Sequence, residues 1–441
     1  MPSDNRLKHR CILLCLGLHL LVFQPAAKAG NAIVEFQTMR QKLEAARKSH
    51  DWTASLVIAN DLTKLLNQAP DGLLELARAK VHTNDFAGAF RDLETFVRME
   101  QSSDLLAASP EFAPLREKPE FAAIQAGMEK NRTATSLGKT AFQLSDPNLL
   151  PEDLDYEPGT DRFFLTTVRG KKIVTTDHTG TITEFAKAAD DWPLLAIKLD
   201  PGRNLVWATE VALQGFIFAP QPDWGRSAVL CYNLKTGKLL HRIEGPRGSA
   251  LGDMALTPDG AVIVSDGDGG GVYRIQEKVE ELERLDTGDF ISPQTPAVDS
   301  DGKTIFIPDY VRGIAVFVLG TKEVRWLSME DQFALNGIDG LYLQDQTLLG
   351  VQNGTSPERV VAFALDAGRT RIISQTLIER STKTLGDPTH GVVVGNDFYY
   401  IANSGWDIID EHGNLKPGQH LSQAFIMRLP LSALGSAKAE K

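Results

Sequence analysis

From about residue 149 onward, apolar and polar positions alternate with a period of two, and tight-turn residues interrupt the alternation at short intervals. The stretch Leu251 to Ile275 shows the unit most clearly. Met254 and Leu256 lead into a Pro258-Asp259-Gly260 turn, Val262 and Val264 lead into a Gly-rich turn, and Val272 to Ile275 forms a third apolar run. This reads as three strands joined by two hairpins. Such a unit is marginal alone, because its apolar face needs a neighbour. Five further stretches align with it by their turn residues, giving six that begin at Pro151, Leu195, Gly252, Pro293, Gly337 and Pro388. Their spacing is about the length of a four-stranded propeller blade. Residues 145–432 are therefore expected to form a six-bladed ring. Ala141 to Leu144 and Ala424 to Leu429 would together complete a shared closing blade. A parallel α/β sheet is disfavoured, since no helical segment of useful length separates these strands.

Before residue 130 the period is helical. One face carries Phe36, Met39, Leu43 and Ala46, and a second carries Leu56, Ala59, Leu62 and Leu65. Leu73, Leu76 and Ala77 mark a third, and Phe86, Ala89, Phe90 and Leu93 a fourth. Asp51-Trp52 and Asp85-Phe86 open the second and fourth helices 34 residues apart. On that offset residues 30–130 resemble the tetratricopeptide family over about two units, with a plain four-helix cap as the other reading. Residues 131–144 read as a linker running into the closing strand, and 433–441 as a C-terminal tail.

The N-terminus follows neither period. Lys8-His9-Arg10, an apolar run from Cys11 to Phe23 and the small-residue exit Ala27-Lys28-Ala29 have the order of a signal peptide over 1–29, too short in its apolar part for a membrane span. Export to a periplasm or the medium is the expectation. Removing that segment takes away a net +3 from a chain at −11 and leaves the body at −14, which argues against nucleic acid and anionic membranes as partners. Cys231 is then the single cysteine left, so an intramolecular disulfide is excluded and core packing must hold the fold.

In a propeller the innermost strand of each blade lines the central channel, so equivalent positions at its start form a ring. Down the alignment these are Glu152, Leu195 or Ala196, Gly252, Gln294, Asp339 and His390. Glu, Asp, Gln and His converging from four blades suit a hard divalent cation, with two carboxylates to offset its charge and an imidazole beside it. A solvated channel mouth is the alternative. Asp153 and Asp253 lie one place further on, where alternation aims them away from the channel toward neighbouring backbone. Thr167, Thr209, Asp266, Asp309, Asn353 and Asn403, at the ends of the second strands, read as turn residues.

At these residues the chain resembles the superfamily that holds gluconolactonase, the senescence marker protein and the luciferin-regenerating enzyme. Pro151-Glu152-Asp153 is similar to the opening whose Glu binds the metal there, and Ile338-Asp339-Gly340 to the later strand start whose Asp does the same. Thr257 to Gly260, Asp299 to Gly302 and Phe398 to Ser404 are similar to its blade hairpins. The resemblance implies Ca²⁺ or Zn²⁺ on Glu152 and Asp339, substrate or water oriented by Gln294, Asp339 or His390 assisting as catalytic base, and hydrolysis of a small lactone or ester. Where that group has an Asn ligand this chain has Gly252, which removes one donor.

Other chemistry is absent from the pattern: there is no Gly-x-Ser-x-Gly elbow, no phosphate-cradling loop and no cysteine pair for zinc. Asp266 to Gly271 lacks the spaced acids and closing Glu of a calcium loop and reads as a hairpin turn. The sequence thus leads to an all-β six-bladed propeller preceded by a small α-helical, tetratricopeptide-like domain, with a cation site at one channel mouth. The rival is a non-catalytic scaffold whose helical domain docks a protein partner.

Overall fold

The structure, a computed structural model, describes residues 31–276, 281–329 and 332–436. Residues 1–29, expected to be a signal peptide, lie outside the described residues. No helix among the described residues is long and apolar enough to cross a membrane.

Four helices come first: α1 (Ala32–Lys48), α2 (Trp52–Leu65), α3 (Pro70–His82) and α4 (Phe86–Arg98). Asp51 caps α2 by accepting from the Ala54 N–H, and Asp85 caps α4 by accepting from the Gly88 N–H, each at 2.9 Å. The two aspartates 34 residues apart thus do the same work at equivalent helix starts. Shorter helices follow, α5 (Asp104–Ala108), α6 (Ala113–Arg116) and α7 (Phe121–Asn131). The apolar faces read from the sequence are the buried ones, with Ala77, Ala89 and Leu93 fully enclosed.

Six antiparallel sheets then form the ring. Blade 1 is Pro151–Glu157, Arg162–Thr167, Lys172–Thr176 and Thr183–Lys187. Blade 2 is Leu194–Asp200, Leu205–Ala212, Arg226–Asn233 and Leu239–Glu244. Blade 3 is Leu251–Leu256, Val262–Asp266, Gly271–Ile275 and Glu283–Arg284, and blade 4 is Ala297–Val298, Thr304–Asp309, Gly313–Val318 and Glu323–Trp326. Blade 5 runs Gly340–Gln344, Thr347–Gln352, Arg359–Leu365 and Arg371–Arg380, and is widened by Thr135–Ser136 and Ser328–Met329 on its outer strand. Part of the stretch expected as linker is therefore sheet. Blade 6 takes Gly391–Val394, Asp397–Ile401 and Phe425–Pro430 from the C-terminal end and Lys139–Gln143 from before blade 1. That shared blade closes the ring, with Phe142 opposite Ile426. The innermost strands touch one another all the way round, the sixth against the first.

The cores lie between blades. Phe163, Leu165 and Val174 of blade 1 meet Tyr399, Ile401 and Ile426 of blade 6 in one apolar cluster, and every other blade pair has its equivalent. At the most regular hairpin, Gly260 sits at φ +89°, the left-handed geometry the Pro258-Asp259-Gly260 turn requires. The Asp266–Gly271 segment is a turn as expected: the Asp266 carboxylate accepts from the Gly269 and Ala250 N–H groups.

Antiparallel order places the starts of the innermost strands, the loops between second and third strands and the blade-to-blade connections on one face, the upper face here. The helices dock on that face over blades 4 and 5. Ile291 and Val311 join the apolar cluster of α1 to α3, and Ala334 packs on Leu73 and Met99. Arg312 donates to the Leu65 carbonyl at 3.0 Å, and fully buried Arg359 reaches Glu100 at 3.3 Å.

Candidate functional site

Glu152 and Asp153 are the second and third residues of the innermost strand of blade 1, and Asp253 is the third of blade 3. Asp339 and His390 immediately precede the innermost strands of blades 5 and 6. These five side chains gather on the channel axis. One ligating atom from each of Glu152, Asp339 and His390 lies within 4.8 Å of the others, and all three residues are buried. Gln294 is buried beside blade 3, but its amide donates to the carbonyl and hydroxyl of Ser292, and it is Thr295 that reaches the cluster, through Asp253.

Asp253 corrects the sequence reading. It was expected to face neighbouring backbone; instead its Oδ1 accepts from His390 Nε2 at 2.8 Å and from the Thr295 hydroxyl. The register shifts between Leu251 and Asp253, and likewise between Pro151 and Leu154 and between Leu194 and Ile197. A bulge sets two residues against one and breaks alternation where the strands enter the channel. Asp153 does bond backbone as expected, accepting from the Leu154 and Ile197 N–H groups, and it also pairs with Lys198 at 2.6 Å.

His390 holds the cluster together. Its Nδ1 lies 2.8 Å from the Glu152 carbonyl oxygen, which can only accept, so Nδ1 carries a hydrogen. Its Nε2 faces the Asp253 carboxylate. Burial by itself would lower the imidazole pKa, but Asp153, Asp339 and the hydrogen bond to Asp253 outweigh it and hold His390 well above its ordinary value. His390 is therefore a double donor, and both of its nitrogens are engaged.

The carboxyl groups respond oppositely. Burial and the neighbouring Asp339 push Glu152 up to about 8, against the counter-pull of His390 and of the Trp406 indole, which donates to Glu152 Oε2 at 2.5 Å. Burial pushes Asp339 up to about 7, against the charge of His390 and a 2.8 Å hydrogen bond from Asn353 to its Oδ2. Asn353 in turn accepts from the Tyr310 hydroxyl at 2.9 Å. Asn353 was read as a turn residue; the turn brings its amide over the channel.

The upper mouth is not open, contrary to the expectation of a site at the mouth. Leu213, Phe216 and Phe218 from blade 2 and Trp406 and Ile409 from the long loop of blade 6 close over Leu150, Leu195 and Ala250 as one apolar cluster. Beneath it Glu152 keeps 8% of its surface exposed and His390 1%. At Gly252 a Cβ would meet Ala250 O and Leu195 Cδ1 at 3.8 Å, ordinary contact, so a side chain could start there without a clash.

The donor set fits a hard cation in part. Two ligands on opposite sides of a calcium ion at about 2.4 Å are about 4.8 Å apart, so oxygens of Glu152 and Asp339 at the observed spacing can share one ion. His390, with both nitrogens committed, orients Glu152 and Asp253 instead.

The fold is similar to virginiamycin B lyase from Staphylococcus aureus, at 11% identity over 67% of this chain and 100% of that one with a TM-score of 0.43. It is also similar to a calcium-binding protein, regucalcin, from Agrobacterium tumefaciens, at 13% identity over 67% and 95% of the two chains with a TM-score of 0.45. No protein-family model matches the chain, and no curated protein matches it.

Proposed function

We propose that the protein is a divalent-cation-binding propeller with hydrolytic chemistry toward a small ester or lactone, the ion held by Glu152 and Asp339. The observation that carries the reading is the pair of buried carboxyls brought within 4.8 Å of one another and of His390. Without an added positive charge they resist ionising together, as their raised pKa values express. A bound Ca²⁺ or Zn²⁺ would supply that charge and polarise a substrate carbonyl.

The chain's own groups support the rest of the step. Asp339, kept ionised beside the bound ion, would be the carboxylate that accepts a proton from an attacking water. His390 already holds a proton on each nitrogen, so it serves as a positive strut that fixes Glu152 and Asp253. Trp406 and the apolar cover keep bulk water out from above. Gln294 donates its amide to Ser292, and it is Thr295 beside it that reaches the cluster, through Asp253.

The rival reading, a non-catalytic scaffold that engages a protein partner through its helices, is favoured by one observation: Gly252 offers no ligand although a Cβ would fit there. Export completes the proposal and rests on the basic, apolar and small-residue order of residues 1–29.

The test is calcium and zinc content of the purified full chain together with p-nitrophenyl acetate and δ-valerolactone turnover. One equivalent of metal, lost along with turnover in Glu152→Gln and in Asp339→Asn, supports the enzyme. Metal binding without turnover of any ester or lactone supports the scaffold.

A further inference from the structure

We propose that the half of the channel below the carboxylate cluster is a binding chamber for an uncharged molecule of about benzene size that carries one hydrogen-bond acceptor. This goes beyond the cation reading and stands on different atoms. A cavity of about 200 Å³ occupies the channel there, and all six innermost strands contribute to its wall. A dry apolar cavity of about 150 Å³ accepts benzene. The volume here therefore takes a single ring with a short polar substituent.

The wall is mostly apolar, with Leu154, Ala255, Ala297, Leu341 and Val392 among its residues. Its outer members Leu256, Val298, Leu343 and Val393 are only half-buried, whereas the cluster above is sealed, so the chamber is entered from the lower face. Two polar groups specify the ligand. The Tyr342 hydroxyl accepts from the Gly391 N–H at 2.7 Å, and its own O–H has no acceptor among the described residues. Burial holds that hydroxyl protonated. Lys198 donates to Asp153 Oδ2 at 2.6 Å and to the Ile197 carbonyl at 2.7 Å, which leaves one ammonium hydrogen.

Both groups donate, so the ligand must accept. A carboxylate ligand would face Asp155, whose oxygens already take the Tyr156 and Leu199 N–H groups, and a cationic ligand would face Lys198. A neutral ketone, ester or amide on an apolar ring satisfies the chamber without either repulsion.

Acetophenone is the probe, with benzoate and benzylamine as its charged counterparts, titrated calorimetrically into the purified full chain in the presence of EDTA. Binding that persists in EDTA separates the chamber from the cation site. One equivalent of acetophenone is expected, with both charged probes at least about 10-fold weaker. Tyr342→Phe should weaken acetophenone about 5-fold, the worth of one neutral hydrogen bond. Ala255→Phe should abolish binding with the circular dichroism spectrum unchanged. Should Ala255→Phe fail to fold, intermolecular nuclear Overhauser effects from the probe ring to the Leu341 and Val392 methyls in the unaltered chain locate the ligand. Absence of acetophenone binding, binding indifferent to Ala255→Phe, no contact with those methyls, or tighter binding of a charged probe would each overturn the proposal.

Discussion

Glu152, Asp339 and His390 all hold protons more tightly in the folded protein than their ordinary values allow, and the consequence for stability has a definite sign. Glu152 rises from 4.5 to about 8 and Asp339 from 3.8 to about 7. A raised folded-state pKa means the native state binds more protons, so the stability from these carboxyls is fully present below about pH 4 and is lost as pH climbs through 7 to 8. His390, also raised, adds to the same slope above its ordinary value of 6.5. The EDTA-treated protein should therefore melt at progressively lower temperature from pH 5 to 8.5, each unit of displacement being worth about 1.4 kcal/mol. Glu152→Gln should make that fall shallower, as should added calcium. A melting temperature that is level across this range would contradict the assignment. Replacing His390 by Ala strips Asp253 of its charged partner, leaving only the Thr295 hydroxyl, and should cost about 3–5 kcal/mol, read from denaturant unfolding.

At the scale of elements, closure of the ring rests on one strand from the far end of the chain. Phe142, 6% exposed, is packed among Phe163, Tyr399 and Ile426 where Lys139–Gln143 pairs with Phe425–Pro430. Phe142→Ala should lower stability by about 3–5 kcal/mol. Asp51→Ala and Asp85→Ala, which remove only a helix cap, should each cost about 1 kcal/mol. Chemical denaturation that ranks Phe142 no higher than the caps would count against the closing role of that strand. The blades and this closure were legible because alternation and tight-turn residues repeat at blade spacing. Asp253 was not, because a bulge does not show in an alternating pattern. Trp406 was hidden too: it belongs to the irregular segment between Ile401 and Phe425, where no period marks which side chain turns inward. Asn353 carried a turn signal, and that signal was correct for its backbone and silent about its amide.

Across the whole molecule, helices and propeller share a face, and the joint is partly ionic. Arg359 is fully buried; burial drops it to about 10, while Glu100 at 3.3 Å and the Gln352 side chain at 2.7 Å hold it in place. Arg359→Leu should destabilise the joint by about 3 kcal/mol, toward the lower end for a broken buried pair because Glu100 keeps some exposure. It should also render the segment near Glu100 susceptible to limited proteolysis before the ring unfolds. The apolar cover from blades 2 and 6 closes the upper end of the channel, which leaves the lower face as the approach to it. That approach could not be read from the chain, since it depends on which loops fold over the ring.

Whether Glu152 and Asp339 hold one cation between them is measured by calorimetric titration of calcium and of zinc into the EDTA-treated, dialysed full chain at pH 7.5. One site is predicted, with protons released on binding in proportion to the raised carboxyls, and with the site lost in Glu152→Gln and in Asp339→Asn. No binding of either metal, or binding that survives both substitutions, would contradict it.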